Sequence, residues 1–315
     1  MAVSKALRNH ADIRAETKAR VLRRAAELNY RVDWVARSLR AGRSYLVGLV
    51  LPDLMQSFFA EIATAVAETL APAGYHVLIS HTRESAEEEI KNLDLLIARK
   101  VDGLIIASAQ RSGRLLKRLT TPYVLIDRKL SEVPANFVGS ENEQVGRIAT
   151  EHLIEQGCRR IAHLTGPKVS SAAGRLAGYR SALRKHGLKA RENLIVPAGH
   201  DDEAGYVAMR KLLTRQPHVD GVFCFNDPAA VGAMRAILEE GLTIPGDISL
   251  IGVANMHYSD LLSVPLSTVD QDTARIGKVA AERLLECMKG GGLKAKSLLV
   301  PPHLIVRASS RRPRA

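Results

Sequence analysis

The sequence predicts an α/β protein with two doubly wound, Rossmann-like subdomains that follow a short all-helical segment. The length of 315 residues corresponds to about two domains of ordinary size. From residue 45 onward, short apolar segments alternate with amphipathic helical patterns, which is typical of repeated strand–helix units. These segments are apolar throughout rather than at every second residue, as expected for parallel strands that are buried on both faces.

The N-terminal segment contains three short helical patterns, at residues 3–9, 15–28 and 34–41. The second has apolar residues on one face and arginines on the other, so we expect its apolar face to pack against another part of the protein. The third follows Asp33, a predicted N-cap, and ends at Gly42, a predicted C-terminal stop.

The remaining chain reads as two successive α/β runs. Strands are predicted at 45–51, 75–80, 103–107 and 123–126, with helices at 59–73, 84–99 and 111–119. The pattern then restarts, with strands at 161–164, 221–225 and 248–253 and helices at 143–156, 172–186, 204–214 and 229–240. Ligands of such sheets bind beyond the carboxyl ends of the strands, so the sequence predicts a site in the cleft between the two subdomains.

The charge is concentrated at the two ends of the chain. The formal net charge is +12, and residues 1–45 hold eleven Lys and Arg against four Asp and Glu. A short basic segment is an electrostatic footprint for nucleic acid, although a solvated helical surface is the alternative interpretation. The arginine-rich end RASSRRPRA is expected to be disordered and to add only non-specific attraction to DNA.

Several classes of function have no support in the sequence. No apolar run approaches about 18 residues, so we expect no membrane span, and the charged N-terminus does not resemble a secretory signal. The three cysteines, Cys158, Cys224 and Cys287, lie far apart, which suits a reducing cytoplasm. We find no P-loop, HExxH, GxSxG or early GxGxxG motif and no metal-ligand spacing, so we expect no enzyme, cofactor or metal.

Polar side chains follow several of the predicted strands. Asp127-Arg128 and Asn226-Asp227 stand directly after strands, and Arg175 lies early in a helix. Asp227 could instead serve only as a helix cap, and Phe59, beside Phe58, could be a core residue. Carboxylates, amides and guanidinium groups around an aromatic ring suit a polyhydroxylated small molecule, because the ring covers its apolar face.

Ten motifs occur in order along the chain: AVSKALRN, ETKARVLRRAAELNYR, VARSLRAGRSYLVGLVLPDL, KVDGLIIA, IDRKL, GCRRIAHLTGP, RLAGYRSAL, FNDPAAVGAMRAI, GDISLIGV and PLSTVDQ. Each motif is weak alone, but the ordered set is specific. Over nearly its whole length the chain resembles the LacI/GalR family of bacterial transcription regulators.

The resemblance implies a partial helix-turn-helix head in residues 1–44, with a recognition helix at 3–9 and a hinge helix at 34–41. It implies a two-lobed core similar to periplasmic sugar-binding proteins, with an N-subdomain at about 45–146 plus 271–290. The C-subdomain would span about 147–270 plus 291–309, followed by a basic tail at 310–315. Leu39 matches a leucine that wedges into the minor groove, although it could be an ordinary buried helix residue.

The family pattern also assigns binding residues. Contacts to the major groove and to phosphates would come from Ala2, Ser4, Lys5, Asn9, Tyr30, Arg37 and Arg40, with Leu39 in the minor groove. The effector would be bound by Phe58, Asp127, Arg128, Arg175, Asn226 and Gln271.

The chain departs from the family pattern at four places. The helix before the recognition helix is absent, so we expect that Met1 is internal to a longer reading frame, or else that this is a short form. Val32-Asp33 replaces Pro-Asn before the hinge helix, and Gln56-Ser57 replaces Asn-Pro before the two phenylalanines. Ala254-Asn255 replaces a pair of aspartates, so the cleft loses a carboxylate and keeps two arginines. This favours an anionic sugar derivative, unless Asn255 or His257 compensates.

The sequence therefore predicts a cytoplasmic, homodimeric regulator, a repressor by analogy, that binds a pseudo-palindromic DNA operator under the control of a sugar or sugar derivative. The alternative is an effector-binding dimer without competent DNA binding, because the first helix of the head is absent. A nucleotide-dependent enzyme is a third class, which only the fold supports.

Overall fold

The structure is a computed structural model, and it describes residues 2–7, 11–30, 38, 42–110, 112–114, 116–215, 218–290 and 295–311. The side chains of Ala2, Ser4 and Leu7 lie outside this description. The chain divides into two compact units, Met1–Ser44 and Tyr45–Ala315. We call them the head and the core.

The head contains helices α1 (Ala2–Leu7) and α2 (Ala15–Glu27). Ala6 on α1 is buried, but no side chain of α2 is buried in the described structure. Val21 and Ala25 are half-buried and α2 contacts α1, so part of the apolar face of α2 packs as expected. Leu22 and Leu28 remain exposed. The predicted hinge helix at 34–41 lies outside the described residues, apart from position 38.

The core alternates strands and helices in the predicted manner. In chain order it comprises β1 (Leu46–Leu51), α3 (Ser57–Leu70), β2 (His76–His81), α4 (Ala86–Ala98), β3 (Gly103–Ile106), β4 (Tyr123–Ile126), β5 (Asn136–Ser140), α5 (Asn142–Glu155), β6 (Ile161–Thr165), α6 (Ser170–Lys185), β7 (Ile195–Pro197), α7 (Asp202–Arg215), β8 (Gly221–Cys224), α8 (Asp227–Glu239), β9 (Ser249–Val253), β10 (Ser267–Asp270), α9 (Thr273–Met288), β11 (Ser297–Val300) and β12 (His303–Ile305). In the predicted helix at 111–119, the described residues form only a short 3₁₀ turn at Leu116–Arg118.

The strands form two six-stranded sheets, one in each lobe of the core. The first lobe has the order β11-β5-β4-β3-β1-β2, and all its pairings are parallel. The second lobe has the order β12-β10-β9-β8-β6-β7, in which only β12 runs antiparallel. The strand order reverses at β1, which lies between β2 and β3, and at β6, which lies between β7 and β8. Such a reversal is the mark of doubly wound sheets, so the predicted fold class is confirmed.

The chain passes between the lobes after β5, after β10 and after β11. Strand β11 pairs with β5 of the first sheet, in register from Ser297 against Phe137 to Val300 against Ser140. The prediction that 291–309 belong to the second subdomain is therefore wrong for β11. The final crossing therefore falls between β11 and β12, because β12 pairs with β10 of the second sheet.

The end of the chain is fixed to the second lobe at least as far as Ser310. Ser309 and Ser310 are buried, and the Ser310 hydroxyl lies 2.7 Å from both His152 Nε2 and Ser267 Oγ. Arg307 donates from Nη1 to the carbonyl oxygen of Leu266, at 2.8 Å. The expectation of a disordered tail is therefore wrong for these residues, because small hydroxyl side chains fit a buried polar seam; residues 312–315 lie outside the description.

Two glycines allow α5 and α6 to approach each other closely. A Cβ at Gly146 on α5 would collide with the carbonyl oxygen of Arg175, and one at Gly178 on α6 would collide with that of Glu143. The contact holds the backbone of Arg175 against α5.

Among the described residues, no helix is both long and apolar enough to cross a membrane.

Candidate functional site

A cleft lies between the carboxyl ends of the two sheets, and its space of about 470 Å³ includes open solvent. Side chains from both lobes line it, because the parallel strands of each sheet end at the cleft. All six residues predicted to bind an effector are among them, namely Phe58, Asp127, Arg128, Arg175, Asn226 and Gln271.

Arg175 lies fully inside the structure at the second-lobe side of the cleft. Its guanidinium donates to Asn142 Oδ1 at 3.0 Å, to the Phe225 carbonyl oxygen at 2.5 Å and to Gln271 Oε1 at 3.1 Å. It also lies over the Phe225 ring, 4.5 Å from the ring centroid. Burial lowers the pKa of Arg175 to about 10, against the opposing carboxylates of Asp127 and Asp227. Arg175 therefore remains a cation at neutral pH.

Arg128 lies on the first-lobe side and is held by acidic partners. It forms a two-pronged ion pair with Glu84, at 2.7 Å from Nη1 to Oε2 and 2.5 Å from Nη2 to Oε1. Its Nε lies 3.4 Å from Asp127 Oδ2. Burial would lower the pKa of Arg128, but the two carboxylates outweigh it and raise the pKa above its ordinary value.

The Asn226 side chain connects the N-terminus of α8 to the segment that follows β7. Its Oδ1 accepts from the Ala229 amide at 3.0 Å, and its Nδ2 donates to the His200 carbonyl oxygen at 2.7 Å. Asn226, not Asp227, is thus the cap of α8. Asp227 is buried below it and accepts from the Met256 amide and two hydroxyls, while burial raises its pKa.

Backbone strain is concentrated at the strand ends that face the cleft. Asp127, Ala254, Asn255 and Asp272 have φ values of 58°, 118°, 52° and 52°. Residues other than glycine rarely adopt these values, at a cost of about 1–3 kcal/mol each, and such strain gathers at ligand sites.

In the described part of the chain, no neighbouring side chain supplies a carboxylate to the cleft in place of the one that is missing at Ala254. Ala254 lines the cleft with a methyl group, and Asn255 and His257 are absent from the lining. The Asn255 amide donates to Asp270 Oδ2 at 2.8 Å and accepts from Arg307 Nη2 at 2.8 Å. Asn255 is therefore committed to the second lobe's own polar network.

Sequence reasoning missed four lining residues: His200, Phe225, Pro228 and Met256. Phe225 and Pro228 flank Asn226-Asp227, so their position after a strand was a usable signal. His200 follows β7, which is only three residues long, and no motif marks it. At the mouth of the cleft, His200 Nε2 lies 3.8 Å from Asp53 Oδ2 of the first lobe.

The residues predicted to contact DNA belong to the head. Ala2, Ser4 and Lys5 lie on α1, and the Lys5 ammonium pairs with Asp12 at 2.5 Å. Tyr30 follows α2 and is exposed. The remaining four, Asn9, Arg37, Leu39 and Arg40, lie outside the described residues. Within the described ranges, no group of His, Cys, Asp and Glu side chains could hold a metal ion.

Comparison with known proteins identifies the chain's relatives. Residues 150–310 match the family model of the periplasmic binding protein-like domain. The ribose operon repressor of Halalkalibacterium halodurans is 35% identical over 312 residues, which covers 98% of this chain and 92% of that protein.

Solved structures agree with the sequence match. A lac repressor dimer bound to operator and the anti-inducer ONPF superposes with a TM-score of 0.85 at 27% identity, over 98% of this chain and 94% of the repressor chain. A complex of the transcriptional regulator CelR with cellobiose gives 0.79 at 29% identity, over 97% and 94% of the two chains. The chain therefore belongs to the LacI family of transcription regulators.

Proposed function

We propose that this protein is a DNA-binding transcriptional repressor whose affinity for its operator is controlled by a small molecule bound in the cleft. The observation that carries the proposal is the convergence of side chains from both lobes on one cleft: Phe58, Asp127 and Arg128 from the first, Arg175, Asn226 and Gln271 from the second. A ligand that contacts both groups would fix the angle between the lobes. Relatives that are named as repressors support the same role.

The chemistry of the lining suits a sugar or a sugar derivative. The Phe58 ring offers an apolar surface for one face of a saccharide ring, and Phe59 packs behind it edge-on at 5.1 Å. Asp127 would accept from ligand hydroxyls, while Asn226, Gln271 and Arg175 would exchange hydrogen bonds with its oxygens. The cellobiose complex of CelR supports a saccharide as the ligand class.

In the head, we assign base contacts to residues 2–9 and phosphate contacts to Tyr30 and the arginines that follow it. Ala2, Ser4, Lys5 and Asn9 would read the major groove, Tyr30, Arg37 and Arg40 would contact the backbone, and Leu39 would enter the minor groove. A homodimer would present two heads to a pseudo-palindromic operator. Residues 1–44 would form this DNA-binding part, and such a repressor acts in the cytoplasm.

Contacts across the cleft provide the route by which a ligand would act. The Lys129 amide of the first lobe donates to Ser170 Oγ of the second at 2.7 Å, and Asp53 faces His200 at the mouth. A ligand that favours this closed arrangement over an open one would shift the equilibrium between them. Couplings of this type are about 1–3 kcal/mol, or about 5- to 150-fold in operator affinity.

Fluorescence anisotropy with labelled DNA tests the proposal. We would titrate the protein into the promoter fragment beside its own gene and into an unrelated fragment of equal length, at several salt concentrations, with and without a panel of monosaccharides. We expect selective binding to the promoter fragment. We also expect one sugar of the panel to change the affinity for this fragment at least about fivefold. Equal affinity for both fragments at every salt concentration would indicate phosphate contacts alone and would contradict it.

A second candidate function is an effector-binding dimer without competent DNA binding. The head favours this alternative, since the described part of α2 buries no side chain and leaves Leu22 and Leu28 exposed. Sugar-dependent stabilisation of the core without selective DNA binding would support it.

A further inference from the structure

The cleft contains two arginines, and their surroundings differ in charge. Among the described residues, Arg175 contacts only neutral acceptors directly, namely an amide oxygen at Asn142, another at Gln271 and a backbone carbonyl. Arg128 contacts the carboxylates of Glu84 and Asp127. Only one of the two cations is therefore paired with a carboxylate of its own.

Glu84 is held in place for this pairing. It lies between β2 and α4, where Arg83 and Glu84 both have left-handed backbones, with φ values of 52° and 56°. The Glu84 amide donates to the Pro52 carbonyl oxygen at 3.2 Å, and Ser85 caps α4 through its hydroxyl. Two successive non-glycine residues in this conformation cost about 1–3 kcal/mol each, so the loop is fixed by its surroundings.

The pairing uses most of the hydrogen-bonding capacity of Arg128. The guanidinium has five N–H donors. Two on Nη1 are directed to Glu84 Oε2 and to the Ser108 carbonyl oxygen, and one on Nη2 is directed to Glu84 Oε1. Nε is buried 3.4 Å from Asp127 Oδ2 without a hydrogen bond among the described residues, so the second N–H on Nη2 is the one that remains for a ligand.

The charged side chains around the cleft therefore carry no net positive charge. Arg128 and Arg175 supply two positive charges, Asp127 and Glu84 supply two negative ones, and Asp53 adds a further carboxylate beside His200. An anionic ligand would therefore meet no net positive charge in the cleft. The sequence favoured an anionic ligand because Ala254 removes a carboxylate, but Glu84 returns one from the opposite lobe.

We propose that Glu84 sets the charge selectivity of the cleft: by neutralising Arg128, it makes the site select uncharged ligands over anionic ones. This inference rests on the proposed function of the cleft as an effector site. It assigns to Glu84, a residue that no motif marks and that does not line the cleft, the role of a selectivity residue acting through Arg128.

Replacement of Glu84 tests the proposal, with inorganic phosphate as the anionic probe. In Glu84→Gln the guanidinium of Arg128 loses its main counter-ion and becomes available. We expect isothermal titration calorimetry to show phosphate binding about 10- to 100-fold tighter than in the wild type, the equivalent of one or two charge-assisted hydrogen bonds. The double variant Glu84→Gln/Arg128→Gln should lose this gain, and Glu84→Asp should retain wild-type selectivity.

Glu132→Gln is the matched control, since Glu132 pairs with the exposed Arg114 at 2.9 Å in the same lobe. It should bind phosphate as the wild type does. Equal phosphate affinity in the wild type and Glu84→Gln would overturn the proposal, as would a gain that persists in the double variant.

A second measurement covers the case in which Glu84→Gln fails to fold. The wild type is compared by thermal unfolding in D-ribose and in D-ribose 5-phosphate, at matched ionic strength. A larger rise of the unfolding midpoint in the phosphorylated sugar would overturn the proposal, and no rise in it supports the proposal. These results do not involve DNA, so they stand apart from failure of the operator-binding test.

Discussion

Asn226 has structural hydrogen bonds whose effect on stability can be measured separately from its proposed role in binding the ligand. Both ends of its amide are occupied: Oδ1 caps α8 through the Ala229 amide, and Nδ2 donates to the His200 carbonyl oxygen. Asn226→Ala removes both bonds, whereas Asn226→Asp keeps an oxygen for the cap and removes only the donor. Comparison of the two variants therefore separates the contribution of the Oδ1 acceptor to stability from that of the Nδ2 donor.

The expected magnitudes follow from these contacts. Loss of an N-cap costs about 1 kcal/mol, and a buried carbonyl left without its donor costs about 1–3 kcal/mol. Asn226→Ala should therefore lower the free energy of unfolding by about 2–4 kcal/mol. Asn226→Asp should lose only the hydrogen bond to the His200 carbonyl oxygen. A carboxylate at a helix N-terminus should recover about 0.5 kcal/mol of that loss.

Urea denaturation followed by circular dichroism measures these differences. Ser85→Ala is the matched control, because Ser85 caps α4 by accepting from the Glu88 amide at 3.2 Å and does not line the cleft. It should cost about 1 kcal/mol, and both Asn226 variants should in addition weaken sugar binding. If Asn226→Ala were as stable as the wild type, or Asn226→Asp as costly as Asn226→Ala, the reasoning would be refuted.

Two further variants test the second lobe. His163 is fully buried against the Phe223 ring, and burial lowers its pKa to about 4; the folded state therefore resists protonation while the unfolded state accepts it below about pH 6.5. Stability should fall by about 3 kcal/mol as the pH drops from 6.5 to 4, and His163→Gln should reduce that slope in urea denaturation; an unchanged slope would contradict this. Gly146→Ala should push α5 away from the Arg175 backbone, lower the free energy of unfolding by about 2–3 kcal/mol and weaken sugar binding, as measured by calorimetry. Ala177→Gly, on the exposed side of α6, is the comparison for a helix substitution that leaves this contact intact, and it should cost only about 1 kcal/mol.

Much of the architecture could be predicted because it depends on local pattern. The apolar strands β1, β4 and β8 are readable as continuous buried segments, and parallel topology places Asp127 and Asn226 at the carboxyl ends of their two sheets, where both line the cleft. Strand β11 was missed because it is short and its exposed residues Ser297 and Leu299 break the apolar pattern. The end of the chain was misread because RASSRRPRA is polar, while its two serines bond to groups far away in sequence.

Long-range pairing explains what the sequence could not reveal about the site. Arg128 was identified as a cleft residue, but its partner Glu84 lies 44 residues earlier in a loop that no motif marks. Asn255 could have replaced the missing carboxylate on sequence alone; its amide is instead engaged by Asp270 and Arg307. In both cases the side chain was predictable and its electrostatic role was set by tertiary contacts.

The most direct test of the central claim, that occupancy of the cleft controls the affinity for DNA, is thermodynamic linkage. The dissociation constant of the selected promoter fragment would be measured with and without a saturating sugar, and that of the sugar with and without the DNA. The account predicts that the two dissociation constants change by the same factor, of about 5 to 150. It also predicts that the Asn226→Ala variant needs a higher sugar concentration to reach the same change in DNA affinity. A sugar that binds the cleft tightly and leaves the DNA affinity unchanged would contradict it.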